Sequence, residues 1–199
     1  MTEKIKVKIE TQQLLYHLTS LANLPSILAN GLMSRFDLDG DFEDVADAEI
    51  LEGREKYNLH KMVPFHFFAK NPFDGSVIYH NPKKQFCLIT VRRDFAKKYK
   101  WKIIPTHPLS TSDKFELCDY EDGFAKINWD LMNERDYSNS KCKSVCMAEC
   151  LSPTTVKSDY FFSIFVKDDK SKTQVEHLLK RMRLDIFVTV NHKMLSITS

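Results

Sequence analysis

The stretch that decides the fold is residues 14–31, LLYHLTSLANLPSILANG. Its first six residues, 14–19, are mostly apolar or β-branched and predict a short buried strand. The rest has the start and stop signals of a helix, with Ser20 as a candidate cap, Pro25 in the first turn and Gly31 at the end. The chain is therefore expected to open with a strand that is followed directly by a helix.

Six further segments are predicted to be short strands, because each is rich in β-branched or aromatic residues. They are residues 63–69, 86–92, 102–104, 147–151, 161–166 and 185–190. Helical periodicity is present in residues 41–57, where Gly53 should interrupt it, and in residues 170–183, a basic amphipathic segment. We expect residues 170–183 to pack on the sheet with a solvated charged face. This mixture of strands and helices predicts an α+β fold.

The composition is typical of one globular body. The chain has 199 residues, of which 43% are hydrophobic and 28% charged. These values fit a single domain over residues 1–199 and exclude disordered, collagen-like and coiled-coil chains. The apolar runs are far shorter than the roughly 18 to 20 residues that span a bilayer, and the first ten residues, MTEKIKVKIE, lack the pattern of a secretory signal. Five cysteines, an odd number, argue for free thiols, so we expect a cytoplasmic protein.

Charge is nearly balanced overall, with 29 Lys and Arg against 27 Asp and Glu, but it is segregated along the chain. Residues 37–55 are acidic, and Arg54 is the one base among them. The opposite holds for residues 92–102, where six bases are interleaved with Phe95, Tyr99 and Trp101. Cations beside exposed rings are typical of single-stranded nucleic acid binding. The alternative is a solvated edge whose aromatic side chains face the core.

A long connection is expected between the strands at 102–104 and 147–151. Residues 107–143 are too many for an ordinary link inside a compact domain. Loops of this length are usually functional, so this segment is a candidate substrate loop.

The motifs of the common nucleotide and metal sites are missing from the sequence. It has five glycines and neither GxGxxG nor GxxxxGK[ST], which excludes a Rossmann cradle and a P-loop. It also lacks HExxH and GxSxG, so zinc-protease and serine-hydrolase chemistry has no support. Cys142, Cys146 and Cys150 recur every four residues, but zinc sites favour CxxC pairs with a fourth ligand, and we expect no metal.

Three groups of residues together carry a resemblance to a known family. They are YHLT (16–19) with NLPSIL (23–28) and GL (31–32), then VPFHF (63–67), then MAECL (147–151). The intervening HPLS (107–110) and INWD (127–130) also fit, in the same order. Over residues 15–166 the sequence therefore resembles DarT, the family of DNA ADP-ribosyltransferase toxins. The resemblance implies the ADP-ribosyltransferase fold, an α+β fold in which two small packed β-sheets surround an NAD cleft and helices flank them.

By this resemblance the protein transfers ADP-ribose from NAD to a base in single-stranded DNA. Glu149 is implied to be the catalytic glutamate, whose carboxylate would accept a hydrogen bond from a ribose hydroxyl as positive charge develops. Arg54, upstream of VPFHF, is implied to be the catalytic arginine, which would bind a phosphate or assist deprotonation of the base. The alternatives are a solvated edge-strand glutamate and an arginine that pairs within its own helix with Glu52, Glu55 or Asp47.

Other residues are implied to bind NAD or DNA. The cofactor-binding residues would be His17, Leu18, Thr19, Ser26, Ser34 and Arg54. His17 would bond an NAD ribose, and its alternative is a core histidine with a satisfied ring. The nucleic-acid-binding residues would be Arg92, Arg93, Lys97 and Lys98 as phosphate contacts, with Trp129, Arg135 and Tyr137 in the long loop.

The resemblance also implies a partner. Such toxins are paired with a macrodomain antitoxin, DarG-like, that removes the modification. Members of the family divide between thymidine and guanosine acceptors, and the residues do not separate the two. Two other classes of protein stay open: an RNA 2′-phosphotransferase, which shares the fold and the use of NAD, and a nucleic-acid-binding module without chemistry.

Overall fold

The computed structural model describes residues 7–38, 53–109 and 115–196. Its strands are β1 Leu14–Ser20, β2 Val63–His66, β3 Phe86–Arg92, β4 Lys102–Ile104, β5 Cys118–Asp119, β6 Glu149–Ser152, β7 Ser163–Val166 and β8 Phe187–Val190. Its α-helices are α1 Leu24–Asn30, α2 Pro72–His80, α3 Arg93–Lys98, α4 Tyr120–Lys126, α5 Trp129–Glu134, α6 Ser140–Val145 and α7 Asp169–Met182.

The eight strands form one sheet in the order β5-β4-β6-β2-β1-β3-β7-β8. Neighbouring strands are antiparallel except β7 and β8, which are parallel. The sheet has two halves, which meet where β1 lies beside β2. In the described part of the chain, β1 and β2 share one residue pair, Tyr16 with His66, whereas β1 and β3 are in register from Leu14 to Ser20. The predicted α+β class is confirmed, and the joint between the halves is narrow.

The opening strand and helix form where residues 14–31 predict them. Ser20 caps a 3-10 turn at Leu21–Asn23, and α1 then begins with Pro25 in its first turn. Gly31 ends α1 with a φ of 87°, and a Cβ at this position would lie 2.7 Å from the side chain of Thr155. Glycine is therefore required here both by the backbone angle and by the close approach of the chain near Thr155.

Apolar side chains cover both faces of the sheet. Because side chains alternate along a strand, Leu15 packs in one cluster with Phe65 and Trp101, while Leu18 packs on the other face. Burial of each such side chain contributes about 1.5–3 kcal/mol. In α7, Val175 and Leu179 are buried in the larger cluster, which confirms that residues 170–183 pack on the sheet through an apolar face.

One predicted segment differs clearly from the structure, and the strands predicted at 63–69, 147–151, 161–166 and 185–190 differ from β2, β6, β7 and β8 by one to three residues at their ends. Residues 107–143 are not one long loop, because β5, α4, α5 and the start of α6 lie within them. These helices have six or seven residues, too few to give a clear apolar period. Most of residues 41–57 lie outside the described residues. Residues 53–56 are helical, and the predicted interruption at Gly53 depends on the residues before it, which lie outside the described ranges.

All five cysteines are free, as predicted. Within the described ranges, no helix is long and apolar enough to cross a membrane.

Candidate active site

The pairing of β1 with β2 stops at the narrow joint, and we call the region between the two strands beyond it the cleft. Continued antiparallel pairing beyond Tyr16 and His66 would set His17 opposite Phe65 and Leu18 opposite Pro64, but these residues do not pair. The side chain of His17 crosses the cleft instead, because its Nδ1 lies 2.7 Å from the carbonyl oxygen of Pro64. The cleft therefore places unpaired strand edges and a polar side chain in the middle of the sheet.

Arg54 and Glu149 form an ion pair at the end of β6. Nη1 of Arg54 donates to Oε1 of Glu149 at 2.7 Å and to Oε2 at 2.9 Å. The two side chains are 12% and 7% exposed, and the residues are 95 positions apart in the chain. A bond of this kind between buried, oppositely charged groups is stronger than one at the surface. The predicted catalytic residues are thus in direct contact, and Glu149 is not a solvated edge residue.

One nitrogen of the Arg54 guanidinium is not used in the ion pair. Its Nη2 is buried and has no hydrogen-bond partner among the described residues. A buried N–H group without an acceptor costs about 1–3 kcal/mol, so this atom is available to an acceptor on a ligand.

His17 is neutral at physiological pH. Burial lowers the pKa of His17 to about 4, although the bond to Pro64 opposes the shift; the neighbouring His66 and Arg54 add to it. A carbonyl oxygen can only accept, so Nδ1 carries the hydrogen and Nε2 has a free lone pair. The imidazole also lies 5.5 Å from the ring of Phe65. His17 can therefore accept a hydrogen bond from a hydroxyl or amide group in the cleft.

His66 is a second buried imidazole beside the ion pair. It lies opposite Glu149 in the register of β2 and β6, and its Nδ1 is 3.2 Å from the carbonyl oxygen of Ala148. Burial lowers the pKa of His66, while Glu149 and the bond to Ala148 oppose the shift. The sequence analysis gave His66 no role, although it lies within VPFHF, one of the segments that carried the resemblance.

The other predicted cofactor residues make local contacts. Leu18 is buried on β1, and the hydroxyl of Thr19, one residue further, accepts from Asn23 at 3.4 Å. Ser26 is exposed on α1. Ser34 is buried, and its hydroxyl donates to Asp37 at 2.6 Å, so this donor is already used within the turn.

Arg35 was missed by sequence analysis because only its neighbour Ser34 drew attention. Burial and then the charge of Arg54 lower the pKa of Arg35, which therefore lies within electrostatic reach of Arg54. Two guanidinium groups near one another favour an anionic ligand between them.

Some of the predicted nucleic-acid-binding residues are buried in the structure, and others are at the surface. Arg93 is 7% exposed, and its guanidinium donates to the carbonyl oxygens of Leu14, Ile9 and Phe67. It therefore does not fit the predicted phosphate contact, because its donors are used by the backbone. Trp101, one of the predicted stacking rings, is also in the core, at 2% exposed.

The remaining bases of this segment are at the surface. Arg92 pairs with Asp94, Lys97 pairs with Glu121 at 2.6 Å, and Nζ of Lys98 lies 5.7 Å from the ring centre of Tyr99. Arg92 and Lys97, but not Lys98, border a pocket of about 380 Å³. It is lined by Glu10, Gln12, Gln13, Arg92, Arg93, Asp94, Lys97, Tyr120, Glu121 and Phe124. Acidic and basic groups alternate around it, so this pocket by itself does not favour an anion.

The predicted loop residues are fixed to the chain just beyond β2. The guanidinium of Arg135 lies 4.8 Å from the ring centre of Phe68, and Tyr137 donates to the carbonyl oxygen of Lys70 at 3.1 Å. Trp129 is half-buried and donates to Phe124, so its ring is part of the core edge. Arg135 and Tyr137 thus lie near the same end of β2 as His66.

Within the described residues, no three His, Cys, Asp or Glu side chains are arranged to hold a metal ion.

Similar solved structures show the class of protein. DarT from Thermus sp. 2.9 in complex with ADP-ribosylated ssDNA has a TM-score of 0.80 at 17% identity, over 92% of this chain and 96% of that chain. The same protein in complex with NAD+ has a TM-score of 0.74 at 16% identity, over 92% and 97%. Thermosipho africanus DarTG in complex with ADP-ribose has a TM-score of 0.73 at 20% identity, over 92% of this chain and 51% of that chain. The fold is therefore that of an ADP-ribosyltransferase.

The family follows from the sequence. A family model described as "ssDNA thymidine ADP-ribosyltransferase, DarT" matches residues 16–196, so the chain belongs to the DarT family. The match extends beyond residue 166, where the resemblance of the motifs ended. No curated protein matches the sequence.

Proposed function

We propose that this protein transfers ADP-ribose from NAD to thymidine in single-stranded DNA. The observation that carries the proposal is the buried ion pair of Arg54 and Glu149 beside the cleft that His17 crosses. Thymidine, rather than guanosine, is supported by the description of the family model that matches the chain.

The cleft has groups that suit NAD as a substrate. Nε2 of His17 would accept from a ribose hydroxyl, and the free Nη2 of Arg54 would donate to an oxygen of the diphosphate. Arg35 adds positive charge on the same side. NAD supplies the ADP-ribosyl group, and nicotinamide leaves with the electron pair of the broken bond.

Glu149 would stabilise the charge that develops during this step. Its carboxylate is oriented by the bond from Arg54, and it would accept a hydrogen bond from a ribose hydroxyl that strengthens as the ribose becomes positive. Thymine in DNA has one N–H group. That group would form the new bond to the ribose carbon, and its proton would be lost to solvent.

The DNA would approach along the end of β2. Arg135 and Tyr137 lie beside Phe68 and Lys70, two and four residues beyond His66, so this side is favoured for contacts with the base. We propose that Trp129 supports this region from the core edge. Arg92, Lys97 and Lys98 are more distant surface bases, which would contact phosphates after exchanging their acidic partners.

A macrodomain antitoxin, DarG-like, is proposed as the partner, and the protein would act as the toxin. Support comes from the likeness to Thermosipho africanus DarTG, a chain of about twice this length that contains a region similar to this protein.

The test is incubation with NAD and single-stranded oligonucleotides, followed by mass spectrometry. We expect a gain of one ADP-ribose on oligonucleotides that contain thymidine and none on those that lack it. Modification of guanosine alone would overturn the proposal that thymidine is the acceptor. Removal of a 2′-phosphate from RNA would favour the phosphotransferase, and no mass change with any substrate would favour a binding module.

Glu149→Gln is the matched variant for this assay. It keeps the volume and removes the charge, so transfer should fall by at least about 10²-fold while the protein stays folded. Glu176→Gln, an exposed glutamate on α7, is the control and should transfer as the wild type does. Turnover near the wild-type value in Glu149→Gln would end the assignment.

A further inference from the structure

His66 lies at the joint between the halves of the sheet. As the last residue of β2, it is opposite Tyr16 on β1 and opposite Glu149 on β6. In the described residues it is thus the single β2 residue in register with both strands of the site. The position of His66 therefore sets the position of Glu149 relative to β1, which carries His17.

The imidazole of His66 is bound to the residue that precedes Glu149. Nδ1 donates to the carbonyl oxygen of Ala148 at 3.2 Å. The N–H of Ala148 in turn donates to Val145, the last residue of α6, at 3.0 Å. His66 thus anchors the chain where it leaves α6 and enters β6. On its other side the ring packs against Phe73, at 5.7 Å between ring centres.

The chemistry of this bond determines the form of the ring. Because the carbonyl can only accept, Nδ1 must carry the hydrogen, and the neutral ring has its lone pair on Nε2. A neutral ring adds no positive charge beside Glu149, so Arg54 has no competitor from this side for the carboxylate. Among the described residues, the charged or titratable groups that act on His66 are Glu149, Arg54, His107 and the neighbouring His17.

We propose that His66 is a positioning residue for the transfer reaction: through its Nδ1–H bond to Ala148 it holds Glu149 in place between Arg54 and the cleft. The inference rests on the proposed function. It concerns the donor at Nδ1 and not the bulk of the ring, and this distinction can be tested.

The test compares His66→Asn with His66→Gln in the transfer assay. The amide N–H of asparagine can occupy the position of Nδ1, whereas that of glutamine reaches the position of Nε2. We expect His66→Asn to keep kcat within about threefold of the wild type, because the donor to Ala148 is retained. We expect His66→Gln to lower kcat at least about tenfold with little change in the KM for NAD, because Glu149 acts mainly in the transition state.

His80→Asn is the matched control. His80 makes the same kind of bond, from Nδ1 to the carbonyl oxygen of Ser76 at 2.9 Å, but it is exposed on α2. It should keep wild-type kcat. Thermal melting of each variant without NAD separates loss of folding from loss of positioning.

Each outcome decides the proposal. Equal loss of kcat in the Asn and Gln variants, or a raised KM with unchanged kcat, would overturn it. If His66→Gln does not fold, His66→Asn alone decides: a kcat within threefold of the wild type supports the proposal, and a larger loss overturns it. A wild-type chain that transfers nothing would instead count against the proposed function, so the two failures are distinguishable.

Discussion

Arg54 and Arg93 are two buried arginines that this fold uses in opposite ways. Arg93 donates to backbone carbonyls from three different parts of the chain, including Phe67, and so joins the segment before β1 to the end of β2. Arg54 binds a single carboxylate, Glu149, and its Nη2 has no partner in the described part of the protein.

The difference separates a guanidinium whose donors are used by the fold from one with a donor that the described residues leave unpaired. Burial alone does not distinguish them, because both are largely removed from solvent. What differs is how many of their donors are satisfied by the residues that the structure describes, since an unsatisfied donor costs free energy unless a ligand supplies the acceptor.

Arg54→Lys should abolish most of the activity. Lysine keeps a positive charge for Glu149 but lacks the planar second amino group, so kcat should fall by about 10²–10³-fold. The melting temperature should change little, because the buried carboxylate is still paired. Arg181→Lys, at an exposed position on α7, is the control and should show neither effect. Wild-type kcat in Arg54→Lys would show that the free Nη2 has no role.

Arg93→Met should have the opposite profile. It removes the donors from the carbonyls of Leu14, Ile9 and Phe67, and the free energy of unfolding should drop by about 3 kcal/mol. The kcat of the folded protein should stay near the wild-type value. Urea denaturation and the transfer assay measure the two quantities. A fall in kcat without loss of stability would remove the distinction between the two arginines.

Asp74 provides a test of whether every buried polar atom without a hydrogen-bond partner belongs to a ligand site. Its Oδ1 is buried without a partner among the described residues, and burial raises the pKa of Asp74 from 3.8 to about 7. A raised pKa means that ionisation disfavours the folded state, so this group lowers stability as pH rises from about 4 to about 7. Asp74→Asn should raise the free energy of unfolding at pH 7.5 by about 2 kcal/mol without changing kcat.

His17 has the opposite effect on the pH dependence of the free energy of unfolding, over nearly the same pH range. Its pKa falls from 6.5 to about 4 in the folded state, so the stability that it contributes above pH 6.5 is lost as pH falls towards 4. In the wild type the two pH dependences partly cancel. In Asp74→Asn the free energy of unfolding should therefore fall more steeply as the pH is lowered from about 6.5 towards 4. Denaturation curves at several pH values measure it. A pH profile identical in the two proteins would contradict the assignment of Asp74.

The double variant Lys97→Ala with Lys98→Ala should have the smallest effect. If both lysines contact phosphates, the slope of log K against log salt for single-stranded DNA should flatten by about 1.4, at roughly 0.7 per contact. Arg93→Met should leave that slope unchanged, because Arg93 is used by the backbone. An unchanged slope in the lysine variant would place the phosphate contacts elsewhere, with Arg135 as the next residue to test.

Local pattern was sufficient to predict much of the fold. The strands at Phe86–Arg92 and Lys102–Ile104 have their predicted bounds, and the turn at Gly31 follows from backbone sterics. The short helices between 115 and 145 were not predicted, because six or seven residues complete fewer than two turns of apolar period.

Side-chain direction was harder to predict than the strands. A run of bases and rings such as residues 92–102 is compatible with either face, and long-range contacts send Arg93 and Trp101 inward. Similarly, no local rule connects Arg54 with Glu149 across 95 residues. Only the resemblance to a family linked these two residues before the structure did, and it left His66 and Arg35 without roles.

The narrow joint between β1 and β2 has a consequence for divergence among relatives. Beyond Tyr16 and His66, the described residues of β1 and β2 form no further pair, so main-chain N–H and C=O groups on this side of β1 are not used by pairing with β2. A ligand can bond to such groups whatever side chains the strand carries. Substitutions along β1 that keep the strand buried are therefore compatible with the same binding surface.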